Sequence, residues 1–233
     1  MFRLAMDSSQ SRFHFQVITN TFTPLADVAD SLIGVLNAGA DAVQLRDSAA
    51  TPAQAAALAD AIERGMPDAR DRLILHERLI GPDVAGFAWR HVMSASIMRS
   101  GGAGSSADSR FGTSVHSLRE ARRAVELGAA YLTFGHVFQT GSHPGEPPRG
   151  IAALAEVVGC ADVPVLAIGG LTTGNIDDVL ASGCAGVAVI SAVLSQPDPL
   201  AATHRLRALL DDSPHRPRFS FPTLESSSQE GTP

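Results

Sequence analysis

Asn37-Ala-Gly39-Ala-Asp-Ala-Val43, Glu126-Leu-Gly128-Ala-Ala-Tyr131-Leu132 and Ala181-Ser-Gly183-Cys-Ala-Gly-Val187 are one junction met three times along the same chain. Each is the end of a helix-like run, then a glycine where a helix end turns left-handed, then two or three residues leading into an apolar strand. A junction that recurs marks a recurring unit. Working outward, strand-like runs fall at Phe15–Thr19, Ala42–Arg46, Arg72–His76, Gly86–Val92, Phe111–His116, Tyr131 onward, Val163–Ile168 and Gly186–Ile190. Helix-like runs lie between them at Leu25–Ala38, Thr51–Arg64, Ser117–Leu127, Ile151–Val158, Asn175–Ala181 and, last, Asp198–Leu210. Thr51-Pro52 opens the second of these as a capped start with proline in its first turn, and Ser117 with Glu120 has capping-box spacing.

The strands are nearly continuous apolar runs rather than alternating ones, which indicates a parallel sheet buried on both faces. Eight strand–helix units of this kind predict an α/β protein that closes into a (β/α)8 TIM barrel, with an open doubly wound sheet as the alternative. The barrel is expected over residues 14–212, after an N-terminal extension (1–13) and before a Pro-, Ser- and Arg-rich tail (213–233) read as disordered. The Gly/Ser-rich stretch Met98–Arg110 reads as a mobile loop.

Bulk composition narrows the function. A chain of 233 residues, 45% hydrophobic with a mean hydropathy of +0.10, can bury a full core and has no apolar run of membrane-spanning length. The first residues lack a secretory signal, so a cytoplasmic location is expected. A net charge of −6 with no basic stripe argues against nucleic acid and against an anionic membrane as partner. Lysine is absent: all 18 basic residues are arginine, which removes lysine Schiff-base chemistry and a phosphate-loop lysine. Cys160 and Cys184 form no CxxC pair and are expected to be buried fillers.

In a barrel of this kind the residues that finish the strands build the active site. Gln44 and Arg46 finish the second strand, two apart and so on one face. His76 ends the third, His91 lies near the end of the fourth, Ser114 and His116 close the fifth, and His136 the sixth. Thr140 and His143 follow His136 in a Gly/Pro loop. His136 is the candidate proton-transfer group, an imidazole held at the end of a rigid strand. Gln44, Arg46, Ser114, His116, Thr140 and His143 are the candidate substrate-binding residues. The seventh and eighth strands end in Ile168-Gly169-Gly170 and Ile190-Ser191, where barrel enzymes often seat a phosphate on backbone N–H groups. A double glycine also fits a tight turn, and Arg46 also fits an ion pair under the rim. No His-x-His or His-x-x-x-His pair occurs, and Glu77 is the only convincing strand-end acid, so neither a metal nor a cofactor is expected.

Together Val43-Gln-Leu-Arg46, Gly112-Thr-Ser-Val-His116-Ser, Phe134-Gly-His136-Val-Phe-Gln-Thr140, Pro164-Val-Leu-Ala-Ile-Gly-Gly170 and Gly186-Val-Ala-Val-Ile-Ser191 resemble the thiamine phosphate synthase superfamily. The resemblance runs from Phe15 to Leu209 and is closest to the TenI-like thiazole tautomerase branch. The synthases it resembles have a lysine where Ser48 stands, Asn-Asp where His76-Glu77 stands, a metal-binding Asp near Ser94–Ser96, a loop lysine at His143 and a proline at His136. Those positions hold magnesium pyrophosphate in the synthases. The resemblance therefore implies a tautomerase in which His136 shuttles a proton on a small phosphorylated thiazole, without metal. Gly169, Gly170, Ile190 and Ser191 would take the phosphate. The alternatives are magnesium-dependent thiamine phosphate synthesis and a non-catalytic thiazole-phosphate binder. Barrels of this class are often dimers, so a homodimer is a possible assembly.

Overall fold

The computed structural model describes residues 12–21, 24–81, 84, 86–100 and 110–222. Eight parallel strands pair in chain order, and the eighth pairs with the first, so the barrel is closed. The open-sheet alternative is excluded. The strands are β1 (His14–Ile18), β2 (Ala42–Leu45), β3 (Leu73–His76), β4 (Trp89–Val92), β5 (Arg110–Val115), β6 (Tyr131–Gly135), β7 (Val165–Ile168) and β8 (Gly186–Val189). Around them run α1 (Leu25–Asn37), α2 (Pro52–Gly65), α3 (Ser94–Ser100), α4 (Leu118–Glu126), α5 (Gly150–Cys160), α6 (Ile176–Leu180), α7 (Ser191–Leu194) and α8 (Pro199–Asp211).

Every residue of β1, β2, β3, β6 and β8 is buried, which is why their sequences do not alternate. The three repeated glycines take the left-handed backbone their pattern predicts: φ is +113° at Gly39, +91° at Gly128 and +76° at Gly183. At two of them the next amide reaches back five residues, Ala40 to Val35 O and Ala129 to Ala124 O, so the turn satisfies carbonyls the helix end leaves open. Thr51 and Gln54 form a full capping box at the start of α2. Ser117 caps α4, but the Glu120 carboxylate reaches one residue further back and accepts from His116 N at 2.9 Å.

Three short pieces depart from the sequence reading. α7 has four residues, too few for a periodic signal, and turns at once off the end of β8. α3 extends to Ser100 and so occupies the start of the stretch read as a loop; residues 101–109 lie outside the described residues. Cys160 is exposed rather than a core filler, whereas burial pushes the Cys184 thiol up to about 11. No helix among the described residues is long and apolar enough to cross a membrane.

Two apolar layers hold the fold. The larger lies between sheet and helices, and the smaller fills the barrel floor with Ala42, Ile74, Trp89, Tyr131, Leu166 and Ala185. Residues 213–222, within the segment expected to be a disordered tail, pack under this floor. Arg218 N donates to Gly183 O at 2.9 Å, and the Phe221 ring lies 4.9 Å from that of Tyr131 and 5.8 Å from that of Trp89. Residues 223–233, like 1–11, are outside the described residues.

Candidate functional site

At the opposite end the strands finish around a cavity of about 230 Å³. All eleven residues singled out from the sequence line it: Gln44, Arg46, Ser114, His116, His136, Thr140, His143, Gly169, Gly170, Ile190 and Ser191. His76 and His91 line it as well, so five of the eight histidines converge on one opening. Parallel register is the cause. It sets His76 beside His91, Ser114 beside Thr133 and Gly135 beside Ile168, bringing the strand ends to one level.

The imidazoles are not equivalent. His91, on β4, is buried between Tyr131 OH (3.0 Å from Nδ1) and Ser114 Oγ (2.9 Å from Nε2), and Ser114 Oγ in turn lies 2.9 Å from Thr133 Oγ1. Burial first, then the neighbouring His76 and Arg46, hold its pKa down at about 3, so it is neutral and serves to position Ser114. His76 is lowered to about 4, mainly by burial and then by Arg46 and Arg78; its Nδ1 accepts from Arg78 N at 3.3 Å. His116, just past β5, donates from Nδ1 to Gly135 O at 2.6 Å, which fixes its tautomer and leaves Nε2 for chemistry at the cavity. His136 is buried, with Nε2 at a long 3.4 Å from Glu146 O, and its ring stacks on His143 at 4.9 Å. The peptide bond between Gly135 and His136 is cis.

Gln44 points inward and accepts from Gln16 Nε2 at 2.9 Å, whereas Arg46 is exposed. The main chain of Arg46 is clasped by Thr19, whose Oγ1 accepts from Arg46 N and donates to Arg46 O, both at 2.8 Å. The ion pair that competed as an explanation for Arg46 does not occur among the described residues.

The paired glycines have a packing reason as well as a chemical one. A Cβ on Gly169 would sit 2.3 Å from the His136 Cβ, and one on Gly170 2.5 Å from Gln139 O; φ is +96° and +67° at the two. The loop after β6 lies directly on them, with Val137 N donating to Ile168 O and Phe138 N to Gly169 O. Their own amides, and those of Ile190 and Ser191, enter no backbone hydrogen bond among the described residues. A neighbouring groove shares Thr140, Gly170 and Ser191 and adds Arg205 of α8, a cation that the sequence reading did not single out.

Among the described residues no aspartate or glutamate lines the cavity, although the Glu146 carboxylate stands at its lip beside His136 and His143. Glu77, the strand-end acid, instead accepts from Ser96 Oγ at 2.7 Å, and Asp47 accepts from Ala49 N at 2.8 Å. Magnesium takes carboxylate and phosphate oxygens in an octahedral set, so the residues lining this cavity do not fit a magnesium site.

The geometry can now be set beside known proteins. The family model described as thiamine monophosphate synthase matches residues 15–193. The chain belongs to that family. Among the family's curated members, the thiamine-phosphate synthase of Roseiflexus sp. is 34% identical over 78% of this chain and 78% of its own. The one from Methanoculleus marisnigri is 38% identical over 72% of this chain and 81% of its own. A solved thiamine phosphate pyrophosphorylase from Pyrococcus furiosus superposes with a TM-score of 0.69 at 25% identity, covering 85% of this chain and 96% of its own. These relatives overturn the tautomerase reading: the names they carry are those of the synthase, a transferase, and not of an isomerase. His136 misled because an imidazole at a strand end suits proton transfer as chemistry, yet a family branch is not decided by one residue type.

Proposed function

We propose that the barrel binds a thiazole phosphate at its mouth and joins it to a pyrimidine pyrophosphate, the reaction that gives thiamine phosphate and releases pyrophosphate. The observation that carries this reading is a cavity whose wall combines backbone amides and a guanidinium that have no hydrogen-bond partner among the described residues, places for two anions. The amides of Gly169, Gly170, Ile190 and Ser191 would take the thiazole's phosphate. Arg46, just past the end of β2 and two strands round the barrel from β8, would take the second anion in a bidentate grip. Gln44 and Ser114, each fixed by a buried partner, would orient the heterocycle, with Thr140 and His143 over it. His116 Nε2 can give a proton to a departing phosphate oxygen or accept one, as can His136. The absence of a transmembrane helix among the described residues and the substrates themselves suit a cytoplasmic enzyme.

One observation favours a second reading. A wall without carboxylates offers nothing to hold a magnesium ion on the leaving group, and a barrel that keeps the thiazole phosphate without coupling it would look the same. Incubation with both substrates, with thiamine phosphate followed by its fluorescent oxidation product, separates the two. Turnover supports the synthase. Saturable binding of thiazole phosphate with no thiamine phosphate formed, with or without magnesium, overturns it in favour of the binder. In the active case Arg46→Ala should cost about 10–100-fold in kcat/KM, since one charge-assisted contact is worth about 1.5–3 kcal/mol, and leave the melting temperature unchanged because the side chain is exposed.

A further inference from the structure

We propose that His136, His143 and Glu146 form a binding site for a borderline transition-metal ion of the zinc class at the lip of the cavity. One ligand atom from each of the three residues lies within 4.8 Å of the other two. His143 Nδ1 is already 3.4 Å from Glu146 Oε1, and the two imidazoles lie face to face at 4.9 Å with 13° between their planes. Two imidazoles and a carboxylate are the three-ligand set of an open tetrahedral site, with metal–ligand bonds of about 2.0–2.2 Å. Ligands on such an ion stand about 3.3 Å apart, so closure needs shifts on the order of 1.5 Å together with a rotation of the exposed His143 ring, because two parallel imidazoles cannot aim their in-plane lone pairs at one ion.

The parts that must shift are free to do so. His136 is the fixed point: it is buried, and its carbonyl accepts from Arg149 N at 2.9 Å. His143 and Glu146 are exposed, and nothing comes within 4 Å of where a Cβ would stand on Gly141 or Gly145 on either side of them. An exposed histidine–glutamate pair three residues apart explains itself as a weak ion pair, worth about 0–1 kcal/mol. It does not explain the third residue, buried His136, whose ligand atom lies within 4.8 Å of those of both partners. Nitrogen donors also decide the kind of ion: imidazole suits zinc, cobalt and nickel, whereas magnesium and calcium want oxygen. His136 and His143 both line the cavity, so an ion held by them would stand at the edge of the space that the glycine amides border. A metal there would meet an oxygen or nitrogen of whatever small molecule occupies the mouth.

The ligands are seven and then three residues apart, a spacing that a helix face would also give, but here all three lie in the loop between β6 and α5. The proposal stands apart from the synthase reading, because it needs no substrate and its test reads metal alone. Tag-free protein stripped with chelator is titrated with cobalt, whose visible absorption reports low-coordinate geometry, and zinc is then added as competitor. Expected are one cobalt per chain with visible bands that zinc abolishes, and a loss of affinity of at least about tenfold in His143→Ala and in Glu146→Gln. Both variants should melt like the parent in chelator, since both side chains are exposed, and His215→Ala, on the far segment, should bind like the parent. Absence of stoichiometric cobalt binding, or variants that bind as tightly as the parent, overturns the site.

Discussion

The barrel's two ends use the same residue type to opposite effect. At the floor, His14 stacks on Phe221 at 3.7 Å, its Nε2 is buried without a hydrogen-bond partner, and burial, with Arg207 and Arg12 behind it, lowers its pKa to about 3. At the mouth, His116 has one nitrogen fixed by a carbonyl and the other left for the cavity, and His91 has both nitrogens occupied. The difference is in partners. Burial lowers His14 at the floor and His76 and His91 at the mouth alike, but the hydrophobic rings of the floor leave His14 Nε2 with no hydrogen bond, whereas the mouth supplies one to both nitrogens of His91. Stability sits at the amino ends of the strands and chemistry at the carboxyl ends, as the parallel arrangement requires.

The sharpest way to break that division is to empty the floor. Trp89→Ala, at a side chain 1% exposed, should cost about 3–5 kcal/mol in denaturant unfolding while leaving ligand affinity at the mouth unchanged in the fraction that folds. A matching loss of affinity would mean the two ends are coupled. Gly169→Ala attacks the division from the other side. A left-handed backbone costs about 1–3 kcal/mol for alanine, and the new methyl would collide with the main chain of His136. It should therefore lower stability by about 2–3 kcal/mol and weaken binding together, read by the same melts and by calorimetry.

The smallest effect is in pH. A histidine whose folded pKa is lowered contributes fully above its unfolded value of about 6.5, and stability is lost as the pH falls below that towards the folded pKa, because the unfolded chain binds the proton first. His14, His76 and His91 all act in this direction, with folded values of about 3, 4 and 3. Replacing His14 with Phe should recover on the order of 1–2 kcal/mol at pH 5 relative to pH 7.5, since one of three contributions disappears. A pH profile parallel to the parent's would show that the floor histidine does not bear the cost assigned to it.

The barrel was legible in the sequence because its signals are local: a glycine after three of the helices and an apolar run after each of those glycines. The mouth was legible for the same reason, since every strand delivers its last residues to one rim. What escaped depends on distance. The clasp of His91 by Tyr131 and Ser114 joins residues 40 and 23 positions apart. Phe221 under Trp89 joins the end of the chain to its middle, and a segment rich in proline, serine and arginine gives no local sign that one of its rings is needed elsewhere. The choice between isomerase and transferase escaped for a different reason, because both chemistries need a phosphate cradle and polar rim groups, and these are what the strand ends display.

Phe221 also sets an order of events. Synthesis runs from the amino end, so all eight strands can be laid down before the ring that covers Trp89 and Tyr131 has been made. Until residues up to Phe221 emerge, the underside of the cylinder is an apolar disc without that cover, open to any chaperone or neighbouring nascent chain that favours such surfaces. A product stopped short of Phe221 would carry every residue of the mouth above an uncovered floor.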